Sequence, residues 1–130
     1  GAEAVQIGSR FIATPESSAH KNFKDYVLNA KEGDTELTLK ELTPVRLLKN
    51  EFYHEVQASI QKCATQEELR ALLGRGRAKK GMFLGDLKEG ELEAGQISYM
   101  MNEIIPAAEV VEEIWQEFLS AKNELQNLSI

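Results

Sequence analysis

The first eleven residues constrain this chain more than any other stretch. Residues 2–7, with Val5 and Ile7 among small side chains, predict a short buried strand ended by Gly8. A strand needs hydrogen-bonded neighbours, and its edges must be capped by another chain or stay exposed. Strand swapping or a homo-oligomer is the expected consequence. The turn that follows, Gly8-Ser9, suits a phosphate: its N–H groups are exposed, Gly8 has no Cβ to block close approach, and Ser9 offers a hydroxyl donor. A plain strand end with a tight turn has the same spacing.

Downstream, Thr14 and Pro15 read as the N-cap and first position of a helix, with Ala19, Phe23, Tyr26, Val27 and Ala30 on one face and Gly33 as its stop. Thr35 to Leu39 alternates, with Leu37 and Leu39 on one side; Val45 to Leu48, preceded by Pro44, is the predicted partner strand. Asn50 caps a helix that presents Phe52, Val56, Ile60 and Cys63. Thr65 and Glu68 form a capping box before Leu69, Leu72 and Leu73. From Gly74 to Gly90 the sequence reads as the loosest part, with Gly74, Gly76, Gly81, Gly85 and Gly90 around a basic run of Arg75, Arg77, Lys79 and Lys80. A short helix is predicted after Leu92, with Ile97, Met100, Met101 and Ile104. Pro106 opens a last helix with Val110, Val111, Ile114, Phe118, Ala121 and Leu125 facing inward.

Composition narrows the function classes. With 15 basic and 21 acidic residues the net charge is -6, which disfavours general nucleic-acid binding. No apolar run is long enough for a membrane span, and no secretory signal opens the chain. A single cysteine, Cys63, excludes an intramolecular disulfide and fits a reducing, cytoplasmic setting. His20, His54 and Cys63 have no metal-ligand spacing. The chain lacks an initiator Met and begins in an apolar segment, as expected of a piece of a longer polypeptide.

Other residues admit two readings each. His20 is a general base or a hydrogen-bonding helix residue; His54 sits on an exposed flank. The basic run is a dock for an acidic partner or phosphate, or a solvated loop. Gln96, after Gly95, points an amide into a pocket or simply starts a helix. Met100, Met101 and Trp115 read as packing residues.

The block Gly-Ala-Glu-Ala-Val-Gln-Ile-Gly-Ser-Arg-Phe over residues 1–11 resembles the eighth barrel strand of the FMN-dependent enoyl-acyl-carrier-protein reductase II and nitronate monooxygenase family. The likeness continues through Ile12 to Phe23, returns at Pro44 to Asn50, and again at Gly85-Asp86 and Glu93 to Ser98, in the same order as in that family. The resemblance implies an α/β fold: the C-terminal part of a flavin-binding (β/α)₈ TIM barrel. Residues 1–33 would be the last strand–helix unit with the FMN phosphate turn, and 34–130 a small hairpin plus a mainly helical C-terminal extension. It implies FMN as cofactor, held by Gln6, Gly8 and Ser9, with Gln96 on a segment near the barrel mouth. Ser9 stands where many members have Thr, which keeps a hydroxyl. The family's catalytic histidine lies on an earlier unit with no counterpart here, so no catalytic residue is expected and His20 is not made one. A whole barrel needs about 250 residues, so this chain alone is expected to bind FMN poorly and catalyse nothing.

Three functions follow. The first is an enoyl reductase of fatty-acid synthesis, in which NADH or NADPH reduces FMN and FMN reduces an enoyl thioester on acyl carrier protein. The second is a nitronate monooxygenase, oxidising alkyl nitronates with O₂. The third is a non-catalytic helical interaction domain, which would need a self-sufficient core.

Overall fold

The computed structural model describes residues 2–128, so Gly1, Ser129 and Ile130, at the ends of the spans above, lie outside the described residues. Its elements are α1 (Lys21–Leu28), β1 (Thr35–Thr38), β2 (Val45–Leu48), α2 (Glu51–Gln61), α3 (Gln66–Leu73) and α4 (Ala107–Gln126). Short 3₁₀ segments span Ser9–Ala13 and Gln96–Met100, and a single π turn spans Lys79–Phe83.

β1 and β2 form the expected antiparallel hairpin, with Thr35 opposite Leu48 and Thr38 opposite Val45. Residues 92–94 run along the other edge of β2. Leu47 bridges Glu93, Leu48 N–H donates to Leu92 O at 2.9 Å, and Ala94 N–H donates to Arg46 O at 3.3 Å. On this edge Leu48, Leu92, Ala94 and Met101 meet Phe23 and Val27 of α1 and Ala13, forming the main core. A second cluster joins Leu39, Phe52 and Val56, covered by Leu42, Ile60, Leu72 and Leu73. Burying a phenylalanine such as Phe23 or Phe52 stabilises the fold by roughly 1.5–3 kcal/mol.

Several expectations need correction. The strand predicted over residues 2–7 does not form; the segment is irregular and exposed. Its apolar residues have the right pattern, but among the described residues no strand pairs with it, and an isolated strand leaves its backbone groups to water. The first helix starts at Lys21, not at Thr14. Thr14 caps only a turn, its Oγ1 accepting from Ser17 N–H at 3.2 Å. The carbonyls of Thr14 and Ser17 then receive Lys24 Nζ at 2.6 and 2.9 Å, which holds the chain out of helix. In β1, Leu37 is exposed while Leu39, beyond the strand in the left-handed region at φ 55°, is buried. Cys63 leaves the face of α2 with φ 58° and is exposed.

The Gly74–Gly90 stretch is not loose. Gly81 and Gly90 cross backbone to backbone: a Cβ on Gly90 would lie 2.1 Å from Gly81 Cα. Near the C-terminus, the predicted short helix is a 3₁₀ turn that buries Ser98 and Met101 but exposes Ile97 and Met100. In α4, Val110 is buried, whereas Val111, Phe118 and Leu125 are exposed, with Trp115 stacked on Phe118 at 5.4 Å. The helical period was right; the inward surface is missing because no other described element lies against most of this helix.

Candidate functional site

The turn singled out in the sequence lies where the N-terminal segment meets the closing segment 93–98. Gly8 ends the irregular stretch with φ −117° and ψ −65°, and Phe11 N–H closes onto Gly8 O at 2.9 Å to start the 3₁₀ segment. Gly8 is exposed, and a Cβ built on it would meet nothing within 4 Å. The glycine is therefore not required by its own dihedrals or by a neighbour among the described residues. Ser9 Oγ accepts a hydrogen bond from Gly95 N–H at 2.8 Å, tying residues 86 apart in sequence. Gly95 O in turn accepts from Ser98 N–H at 3.1 Å and Ser98 Oγ at 2.7 Å.

Arg10 follows directly. Its Nη2 donates to Glu113 of α4 at 3.3 Å, and its Nη1 is buried without a hydrogen-bond partner among the described residues. Glu16 accepts from Ala107 N–H at 3.1 Å, so the start of α4 is fixed to the same corner. An open groove of about 470 Å³ beside Gly8 is lined by Phe11, Ile12, Ser17 and Ala107, among others. Gln6 is exposed two residues before the turn. Gln96 is exposed on the hairpin side, in a separate groove with Glu32, Arg46 and Tyr99. Thus Gly8 and Ser9 are brought together with Arg10 and Gly95, and Gln96 is not.

His20 is occupied structurally. Its Nδ1 accepts from Asn22 N–H at 3.1 Å as the N-cap of α1, and its backbone N–H donates to Met82 O at 2.8 Å. Gly85, at φ 75°, presses on the imidazole so closely that a Cβ there would be 2.2 Å from Nδ1. Asn22 Nδ2 donates to Gly85 O at 3.1 Å, which joins two of the sequence blocks noted above. The basic run is partly consumed inside the fold. Arg77 lies 4.6 Å over the Phe52 ring and donates to Glu89 O at 2.8 Å, and Lys80 pairs with Asp86 at 3.3 Å. The Asp86 carboxyl is held below the usual range, chiefly because it accepts the Glu89 N–H.

Asn50 does more than its sequence position announced. Its Oδ1 caps α2 by accepting Tyr53 N–H at 2.9 Å, while Nδ2 donates to Leu87 O and Gly90 O, each at 2.8 Å. Tyr53 Oη donates to Glu36 at 2.6 Å. Burial, with the Glu36 hydrogen bond and charge behind it, pushes the Tyr53 phenol up to about 12. No described helix is long and apolar enough to cross a membrane.

Known proteins resemble this chain throughout. A family model described as nitronate monooxygenase matches residues 1–117. A Staphylococcus saprophyticus protein described as a probable nitronate monooxygenase is 36% identical over 86 residues, which is 62% of this chain and 24% of that protein. A Bacillus subtilis protein of the same description is 53% identical over 38 residues, 29% of this chain and 11% of that protein. FabK from Thermotoga maritima matches in structure over 97% of this chain and 40% of its own, with a TM-score of 0.87 and 31% identity. The chain thus spans well under half of the relatives it matches. With its fold and nearly all of its length accounted for in this way, the chain belongs to the nitronate monooxygenase family.

Proposed function

We propose that this chain forms the C-terminal part of an FMN-dependent (β/α)₈-barrel oxidoreductase and supplies one wall of the flavin phosphate site. The observation that carries the proposal is the Gly8-Ser9 turn, open over Gly8 and followed directly in sequence by Arg10, whose Nη1 is buried with no partner among the described residues. A phosphate needs close backbone approach, hydroxyl or N–H donors and nearby positive charge. Gly8, Ser9 and Arg10 provide these in consecutive positions, and Gln6 adds an amide just upstream, so the residues present fit the group.

FMN, when bound, supplies the hydride and electron chemistry. This chain's residues would bind and orient it: Gly8 would admit the phosphate, Ser9 would donate to it, and Arg10 would offset its charge while pairing with Glu113 of α4. His20 is spent on capping α1 and moves no proton in this scheme.

The likeness to FabK favours an NADH- or NADPH-dependent enoyl reductase acting on a thioester of acyl carrier protein. The two curated relatives favour the alternative, oxidation of alkyl nitronates with O₂. The test uses the whole protein that carries this chain. Purified protein is expected to show flavin absorption, and an enoyl thioester is expected to drive NADH or NADPH oxidation. Turnover of a nitronate without nicotinamide would overturn the reductase in favour of the monooxygenase; absence of flavin from protein reconstituted with FMN would overturn both.

A further inference from the structure

We infer that Gly95 is a positioning residue for the flavin phosphate: its backbone N–H fixes the Ser9 hydroxyl so that the hydroxyl proton is left for the ligand. The inference rests on the reading of Gly8-Ser9 as the phosphate turn. A serine hydroxyl carries one donated hydrogen and two acceptor lone pairs. The Gly95 N–H, at 2.8 Å, takes up one lone pair. Among the described residues the hydroxyl hydrogen has no acceptor, so it remains to donate to an incoming oxyanion.

Gly95 can do this because the backbone on both sides of it is held. Upstream, Ala94 N–H is tied to Arg46 O on β2 at 3.3 Å. Downstream, the Gly95 carbonyl accepts from the fully buried Ser98 through Oγ at 2.7 Å. The orientation of the Ser9 hydroxyl is thereby set by β2 and the closing segment, not by the turn itself.

The geometry also explains why residue 95 is a glycine. Its φ of −70° and ψ of 161° are open to any residue, so backbone freedom is not the reason. A Cβ there would instead stand 2.7 Å from Ser9 Oγ. Alanine at 95 is therefore accommodated by the backbone, and its methyl displaces only the tip of a flexible side chain. Gly95→Ala should remain folded with Ser9 swung out of place.

The experiment compares FMN with riboflavin, which lacks the phosphate, as ligands of the apo form of the whole protein. Flavin fluorescence reads both affinities, and the FMN-to-riboflavin affinity ratio isolates the phosphate. Ser9→Ala should lower that ratio about tenfold, the loss of one charge-assisted hydrogen bond. Gly95→Ala should lower it to the same extent with riboflavin affinity unchanged, and the double variant should fall no further than Ser9→Ala. Amide exchange at residue 95 should accelerate in Ser9→Ala and be restored in Ser9→Thr. A ratio lowered by Ser9→Ala but not by Gly95→Ala sinks the positioning role and leaves the phosphate turn standing. An unchanged ratio in Ser9→Ala sinks the phosphate turn itself. A Gly95→Ala variant that loses both ligands equally, or a double variant worse than Ser9→Ala, overturns the inference by showing an effect that does not pass through Ser9.

Discussion

Asn50 offers the sharpest test of how this fold is held. Its side chain has two roles: Oδ1 caps α2, and Nδ2 supports the 87–90 turn through the carbonyls of Leu87, Lys88 and Gly90, while only 8% of the residue is exposed. Replacing it with alanine removes an N-cap, which costs about 1 kcal/mol. It also removes the two short Nδ2 hydrogen bonds, one buried and one partly buried, at about 1 kcal/mol each. The expected loss is therefore about 3 kcal/mol, read as a lowered urea midpoint. Asn50→Asp separates the two roles. Aspartate caps a helix as well as asparagine does, so a cap-only role predicts a neutral change. Here its second oxygen would face the carbonyls of Leu87 and Gly90 with no hydrogen to offer, and a buried charge would be poorly paired. The aspartate variant should thus be destabilised at least as much as the alanine variant. Amide exchange resolves this locally. Both variants should speed exchange at Gly90 and Glu91, but only alanine should speed it at Tyr53. An aspartate variant within about 0.5 kcal/mol of the parent would refute the reasoning.

Three further outcomes are expected. Gly90→Ala should cost about 3 kcal/mol or more, because its Cβ would lie 2.1 Å from Gly81 Cα and 2.4 Å from Asp86 O, both backbone atoms; an unchanged thermal midpoint would contradict the crossing. Gly8→Ala, at negative φ and with open space around it, should leave that midpoint unchanged yet weaken FMN binding by the whole protein about tenfold. Tyr53, whose phenol is raised to about 12, contributes stability that is fully present below the unfolded tyrosine value of about 10 and is lost as pH rises through the folded value. The urea midpoint should accordingly fall across that window, and Tyr53→Phe should flatten the fall; an equal slope in both proteins would remove Tyr53 as its source.

The parts of this fold that were legible in sequence are those decided within a few residues. Thr65 and Glu68 close their capping box as written, Asn50 caps α2, and Val45 to Leu48 pairs with Thr35 to Thr38. The sequence puts the start of α1 too early because Thr14 does accept a capping-type bond, and only Lys24, ten residues later, ties the chain out of helix. Residues 2–7 have a strand's pattern, but pairing belongs to the partner and cannot be read from one segment. Abundant glycine between 74 and 90 signalled looseness, whereas Gly81 and Gly90 are there to let two backbones touch. At the candidate site, Gly8 and Ser9 were visible from the turn and the family likeness. The need for glycine at 95 is not legible locally, because what its Cβ would meet lies 86 residues away.

That separation also bears on the order of assembly. The hairpin and the two helix caps close over short distances and can form within microseconds. Joining Ser9 to Gly95 closes a loop of 86 residues, costing about 2 kcal/mol more chain entropy than a loop of about ten. It also requires residues 92–98 to be already seated against β2. The Ser9–Gly95 bond is therefore lost whenever the closing segment frays from β2, so an oriented Ser9 hydroxyl reports that residues 92–98 are in place.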